Sequence, residues 1–146
     1  MHPAPVEAEV VRPLRAEVLR PGQSAAELIY PGDEAPGTLH AAVRLDGEVV
    51  GIASVMRDPH PVSPLPGDWR IRGMASRPEL RGRGIGAALL ACCEIHAREH
   101  GGVRIWCNAR AGAGGFYERG GFSVEGERFE IAGIGPHYLM AKQLRR

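Results

Sequence analysis

The chain has 146 residues, 18 of them Lys or Arg and 17 Asp or Glu, giving a formal net charge of +1. At 44% hydrophobic and 24% charged residues, it reads as one ordinary globular domain, 1–146, large enough to bury a core without staples. Balanced charge argues against a nucleic-acid surface, and eight aromatic residues (three Phe, three Tyr, two Trp) leave little for base stacking.

In chain order, the opening MHPAPVEAEVVRP lacks the apolar core of a secretory signal. Within Ala8–Leu14, EVVRPL reads as a short strand stopped near Pro13. RAEVLR (15–20) is a helical turn or two, ended by Pro21-Gly22, and Gln23–Ile29 is a second short helix. YPGDEAPG is a loop. TLHAAVRL and EVVGIASVM flank Asp46-Gly47, a strong hairpin signal, so antiparallel strands are expected over 38–45 and 48–57. The four prolines of DPHPVSPLPGD (58–68) make a rigid surface loop, equally readable as a rim of a pocket or as a mere connection.

WRIRGMAS is the next strand, followed by RPELRGRGIG and a long helix. In that helix Ile85, Ala88, Leu89, Cys92 and Ile95 or His96 fall on one predicted stripe. Gly101-Gly102 ends it, with Arg98 and His100 against the negative end of its dipole. VRIWC is a strand, GGFYERGGF a helix starting near Gly114, and short strands close the chain near 121–125 and 137–143. The fold class is therefore α/β: a mixed, mostly antiparallel central sheet containing one parallel strand–helix–strand unit with a right-handed crossover.

Gly82, Gly84 and Gly86 stand at alternate positions where the long helix begins, although glycine costs about 0.8–1 kcal/mol against alanine inside a helix. The first four N–H groups of a helix lack internal partners, and bare residues let a diphosphate lie against them. Arg81 and Arg83 bring positive charge to the same anion. No GxxxxGK run exists, which excludes a P-loop. A dinucleotide fingerprint forced onto Gly82, Gly84 and Ala87 fails in context. SRPEL intervenes after the strand, and Asn108 stands where an acidic residue is wanted.

RGMASRPELRGRGIGAALL resembles the acyl-CoA-binding segment of the GCN5-related N-acetyltransferases (GNAT), with Arg81, Gly84 and Gly86 at its signature positions. CNARAGAGGFYERGGF is similar to that family's second half, so the resemblance covers about 68–125. LRAEVL (14–19) and GIGPHYLM (133–140) are similar to stretches in one bacterial subgroup.

The resemblance implies a GNAT-like fold and transfer of an acetyl group from acetyl-CoA to a primary amine, by direct attack in a ternary complex. It assigns Arg81, Gly82, Arg83, Gly84, Ile85 and Gly86 to the diphosphate of coenzyme A. Met74, Ala75 and Ser76 would pair with the pantetheine arm, one N–H facing the thioester oxygen, and Asn108 would bond the pantetheine or a water. Tyr117 would protonate the leaving thiolate. For the base that deprotonates the amine, His137 is one candidate, beside His40, His60, Glu130, Asp33 and a water chain. Tyr117 also reads as a ring packed with Phe116 and Phe122, and Asn108 as a strand-end turn residue.

Three cysteines, with Cys92 and Cys93 adjacent, make neither a disulfide framework nor a paired metal motif. All three read as core, and a reducing cytoplasm is the expected location. No metal and no membrane span are expected; the longest apolar run, IGAALLACC, is far below the roughly 20 residues a span needs. The acceptor, a small molecule or a peptide amine, is not readable, and a homodimer stays open. The rival class is a non-catalytic acyl-CoA sensor of the same fold.

Overall fold

Asp46 and Gly47 both take positive φ, 51° and 82°, the primed-turn geometry that carries β2 (Leu39–Leu45) into β3 (Glu48–Arg57). The structure, a computed structural model, describes residues 2–144. β1 (Ala4–Val6), β4 (Asp68–Ser76), β5 (Arg104–Arg110), β6 (Ser123–Ile131) and β7 (Gly135–Gln143) complete a seven-stranded sheet in the order β1-β2-β3-β4-β5-β7-β6. All neighbours are antiparallel except β4 and β5. The mixed α/β architecture expected from the sequence is the one observed. The two closing strands are longer than the expected short ones.

Residues 8–14 are not a strand. They form helix α1 (Ala8–Leu14), which buries Ala8, Val11 and Leu14. Val11 and Leu14 pack on Ala42, Ile52 and Ala75 of the sheet. That buried stripe outweighs the strand preference of two adjacent valines. Pro13 lies inside the helix and cannot donate to the preceding turn, and the chain widens directly after it. The widened turn is a π turn, Arg15–Leu19, closed by the Arg20 N–H donating to the Arg15 carbonyl at 3.1 Å. The expected helix over 23–29 shrinks to a single 3₁₀ turn, Ala25–Glu27.

Helix α2 (Ile85–Glu99) covers the other face. Its buried residues are Ile85, Leu89, Leu90, Cys93 and Ala97, so the stripe is turned from the expected one. Ile95 is 55% exposed and Cys92 half-buried. The i, i+4 row 85–89–93–97 lies on Trp69, Ile71, Ile105 and Cys107. Small residues at 93 and 97 let the helix approach the sheet closely. Alternation along β4 and β5 then points Arg70, Arg72, Trp106, Asn108 and Arg110 to the α1 side.

Candidate active site

β4 and β5 pair only through Asp68–Arg70 and Arg104–Trp106. Beyond Arg70 the two strands separate, and each keeps an unpaired edge facing the gap. The register of β4 against β3 slips between Ile52 and Ser54, opposite Gly73, whose φ of 67° only glycine holds cheaply. A Cβ on Gly73 would lie 3.0 Å from Arg15 Nε. The bulge lets Arg72 and Ala75, three residues apart, both meet the α1 side.

At the mouth of this gap stands the N-terminus of α2. Its N-cap is Gly84, with φ 81°, and no side chain caps the helix. The first helical bond is Ala88 N–H to Gly84 carbonyl at 3.0 Å, leaving the N–H groups of Ile85, Gly86 and Ala87 without helical acceptors. Gly82 also takes positive φ, 84°, and a Cβ at either Gly82 or Gly84 would meet nothing within 4 Å. The bare surface there is open toward the cleft, a cradle that an added side chain would fill. Gly86 is bare for another reason: its Cβ would come within 3.0 Å of the Phe116 ring of α3 (Gly114–Arg119).

These features open into one cleft of about 850 Å³. Met74, Ala75, Ser76, Arg81, Gly82, Gly84, Ile85, Gly86, Asn108, Tyr117 and His137 all line it. Arg83 is exposed and is not among the residues lining it.

Tyr117 is 6% exposed, its ring edge-on to Phe116 and Phe122 at centroid distances of 5.0 and 5.4 Å. Packing and cleft-lining are thus both true of it. Burial raises its pKa well above 10, and the Cys107 and Cys93 thiols beside it add to the effect. The phenol is held protonated. Burial also pushes the Cys107 thiol up to about 12 and raises Cys93 further, so neither is a ready thiolate.

His137 is buried at 4% exposure, and its Nδ1 lies 2.8 Å from the Gly135 carbonyl. A carbonyl only accepts, so Nδ1 carries the proton and the Nε2 of a neutral ring is left with a free lone pair. The other expected bases lie elsewhere. His40 is tied to the Ser54 hydroxyl at 2.7 Å and the Asp33 carbonyl at 2.8 Å. His60 bonds Glu125 at 2.7 Å, Asp33 grips Arg15 at 2.8 Å, and Glu130 is exposed. None of the four lines the cleft. The 58–68 loop is no rim of it either; its ends border a second cavity of about 280 Å³ with Trp69 and His100.

Arg20, Tyr30, Arg70, Arg72 and Arg110 also line the cleft, although no motif marks them. For two of them a signal existed: WRIRG in a strand places both arginines on one face. Tyr30 lies on a loop fixed by the buried Arg15, whose guanidinium bonds Asp33 twice, at 2.8 and 3.0 Å, and the Leu28 carbonyl at 2.9 Å.

The profile of the acetyltransferase (GNAT) family matches residues 9–122. The chain is 36% identical over 140 residues to the Bacillus subtilis (strain 168) protein called "Uncharacterized N-acetyltransferase YitI", spanning 96% of this chain and 94% of that one. Among solved structures, an aminoglycoside 6'-N-acetyltransferase complexed with coenzyme A superposes with a TM-score of 0.77 at 18% identity, over 100% of this chain and 98% of that one. Escherichia coli ElaA superposes with a TM-score of 0.74 at 21% identity, over 91% and 87% of the two chains. Those two likenesses speak for the fold, and the family match with the sequence relative for the activity. The chain belongs to the GNAT family and is an N-acetyltransferase.

Proposed function

We propose that the whole chain works as one unit that transfers an acetyl group from acetyl-CoA to a primary amine, on a small molecule or a peptide, by direct attack in a ternary complex. The observation that carries this reading is the convergence on one cleft of the bare N-terminus of α2, the open β4 edge, Tyr117 and His137. The cradle fits the diphosphate of coenzyme A: three free N–H groups, the positive end of a helix dipole, and Arg81 beside them.

Met74, Ala75 and Ser76 offer backbone groups to the pantetheine amides. One N–H there would meet the charge that builds on the thioester oxygen, a contribution of about 2.7–4 kcal/mol in other acyl transfers. Asn108 faces the gap from β5 and bonds the same arm. The amine proton goes to Nε2 of His137, and the Tyr117 hydroxyl gives its proton to the departing sulfur. The balance is one C–N bond formed and one C–S bond broken, yielding an amide and a free thiol. With the cysteines held as thiols, direct attack is favoured over an acyl-cysteine route. Three free cysteines fit a reducing cytoplasm.

Thiol release followed with DTNB tests the reading. It should depend on both acetyl-CoA and an amine and collapse in Tyr117→Phe. Amine-independent release, or full turnover by Tyr117→Phe where chemistry limits, overturns the corresponding assignment.

A further inference from the structure

The α1 side of the cleft is cationic. Arg20 closes the π turn, Arg70 and Arg72 project from β4, and Arg110 ends β5. Among the described residues lining the cleft, none is Asp or Glu. Arg70 alone has a carboxylate within reach, the half-exposed Asp58 at 3.4 Å. Arg20, Arg72 and Arg110 have none within 4.0 Å among the described residues. Arg72 rests instead over the Tyr30 ring, 4.3 Å from its centroid, and Arg110 donates to the Leu19 carbonyl at 2.6 Å.

Arg110 and His137 are register partners on β5 and β7, so their side chains share this face. The Nε atoms of Arg20 and Arg70 are shielded from solvent and bonded to nothing. Burial and the like charges of Arg70 and Arg15 disfavour charge on Arg72, outweighing the support of Tyr30 and Asp33; burial and Arg20 do so on Arg110, outweighing Tyr30. Crowded guanidiniums with so few carboxylates among them are costly unless an anion joins them. The α2 cradle, which serves the diphosphate, lies on the opposite face of the sheet.

Resting on the acetyltransferase reading, we propose that the acceptor is a small primary amine that also carries a carboxylate or phosphate, held by Arg72, Arg70, Arg20 and Arg110. Guanidinium forks match both anions in two-point geometry. The same cations disfavour the ammonium form of the incoming amine and so raise the share that is neutral and nucleophilic. A polycationic acceptor meets repulsion at this wall, which sets the chain apart from an enzyme built for aminoglycosides.

The test uses the whole protein with acetyl-CoA and matched acceptors: glucosamine 6-phosphate against glucosamine, 4-aminobutyrate against butylamine, and kanamycin as the polycation. The expected result is a kcat/KM at least tenfold higher for one of the more anionic members than for its partner, falling with added salt. Arg110→Gln should erase that preference by raising KM with little change in kcat; Arg72→Gln should do so more strongly. Preference for carboxylate or for phosphate identifies the anion. Equal or better use of the partners that lack the anionic group, or of kanamycin, overturns the proposal. So does a panel with no turnover and no thermal shift of the coenzyme A complex, provided coenzyme A itself still binds. Loss of coenzyme A binding would instead sink the acetyltransferase reading beneath it.

Discussion

Gly51 of β3 and Ile85 of α2 approach so closely that a methyl group on Gly51 would lie 2.5 Å from Ile85 Cγ2 and 3.2 Å from Leu89 Cδ1. This contact sets where the first turn of α2 rests, directly after the glycine cradle. Gly51→Ala should destabilise by about 1–3 kcal/mol through overpacking. It should also raise the KM for acetyl-CoA, because the first turn must shift. Thermal denaturation and saturation kinetics together check both effects.

Gly84 invites a comparison of two substitutions. Its φ of 81° costs a β-branched residue far more than asparagine, yet either side chain would project into the open cradle. Gly84→Val should lower both stability and coenzyme A affinity. Gly84→Asn should largely keep the melting temperature and still weaken binding, as read by calorimetry. Unchanged affinity in Gly84→Asn would remove the diphosphate from this turn.

Tyr117→Phe keeps the two edge-on ring contacts and removes only the hydroxyl. A fall in kcat of about 100-fold or more is expected from loss of a general acid, with little change in KM. The raised pKa carries a sign. A phenol buried as its neutral form stabilises the fold below pH 10, and that stability is lost as pH rises from there toward the folded pKa. Denaturant titrations above pH 10 should therefore show a steeper loss in the wild type than in Tyr117→Phe. Between pH 7 and 10 the rate should show no limb from this group.

The Arg15–Asp33 pair predicts behaviour in acid. Burial by itself raises the Asp33 carboxyl, but the Arg15 hydrogen bonds and the Tyr30 N–H outweigh it and hold the pKa below 3.8. Asp68 is balanced the same way by Arg104 and the Leu65 and His60 amides. Both groups add stability above pH 3.8 that disappears as pH falls through their folded pKa values. Asp33→Asn leaves a fully buried guanidinium unpaired and should cost about 3–5 kcal/mol at neutral pH, measured by chemical denaturation.

Cys107 lines the cleft as a protonated thiol. Brief treatment with iodoacetamide at pH 7 should leave the rate unchanged, and Cys107→Ala should retain turnover. Rapid inactivation that acetyl-CoA prevents would point to an acyl-cysteine route.

What could be read in the sequence was whatever local chemistry decides. Asp46-Gly47 announced its hairpin because both positions demand positive φ, and the helix after Gly84 announced its start through missing side chains. Alternate positions of a strand announced a buried face at Ile105 and Cys107. Residues 8–14 misled because Val10, Val11 and Pro13 look like the end of a strand, and only the sheet beneath them makes a helix preferable. The buried stripe of α2 lies one position from the patterned one for a similar reason: alanine and cysteine carry little weight in a hydrophobic pattern, yet their small size is what close packing selects. The arginine wall was scattered over residues 20, 70, 72 and 110, and only the sheet order brings them together. Tyr117 and His137 do line one cleft, as motif and chemistry suggest, whereas the exposed Arg83 side chain is not among its lining residues.

Separation of β4 from β5 also bears on self-association. Most sheets carry their unpaired edges at the periphery, where another chain can add to them and seed aggregates. Here two further raw edges lie in the middle of the sheet, between the layers of α1 and α2, rather than at its periphery. Substitutions that loosen the helical cover of this sheet, such as shortening Val11 or Leu14 of the α1 stripe, should therefore show up first as a tendency to aggregate, before any loss of secondary structure.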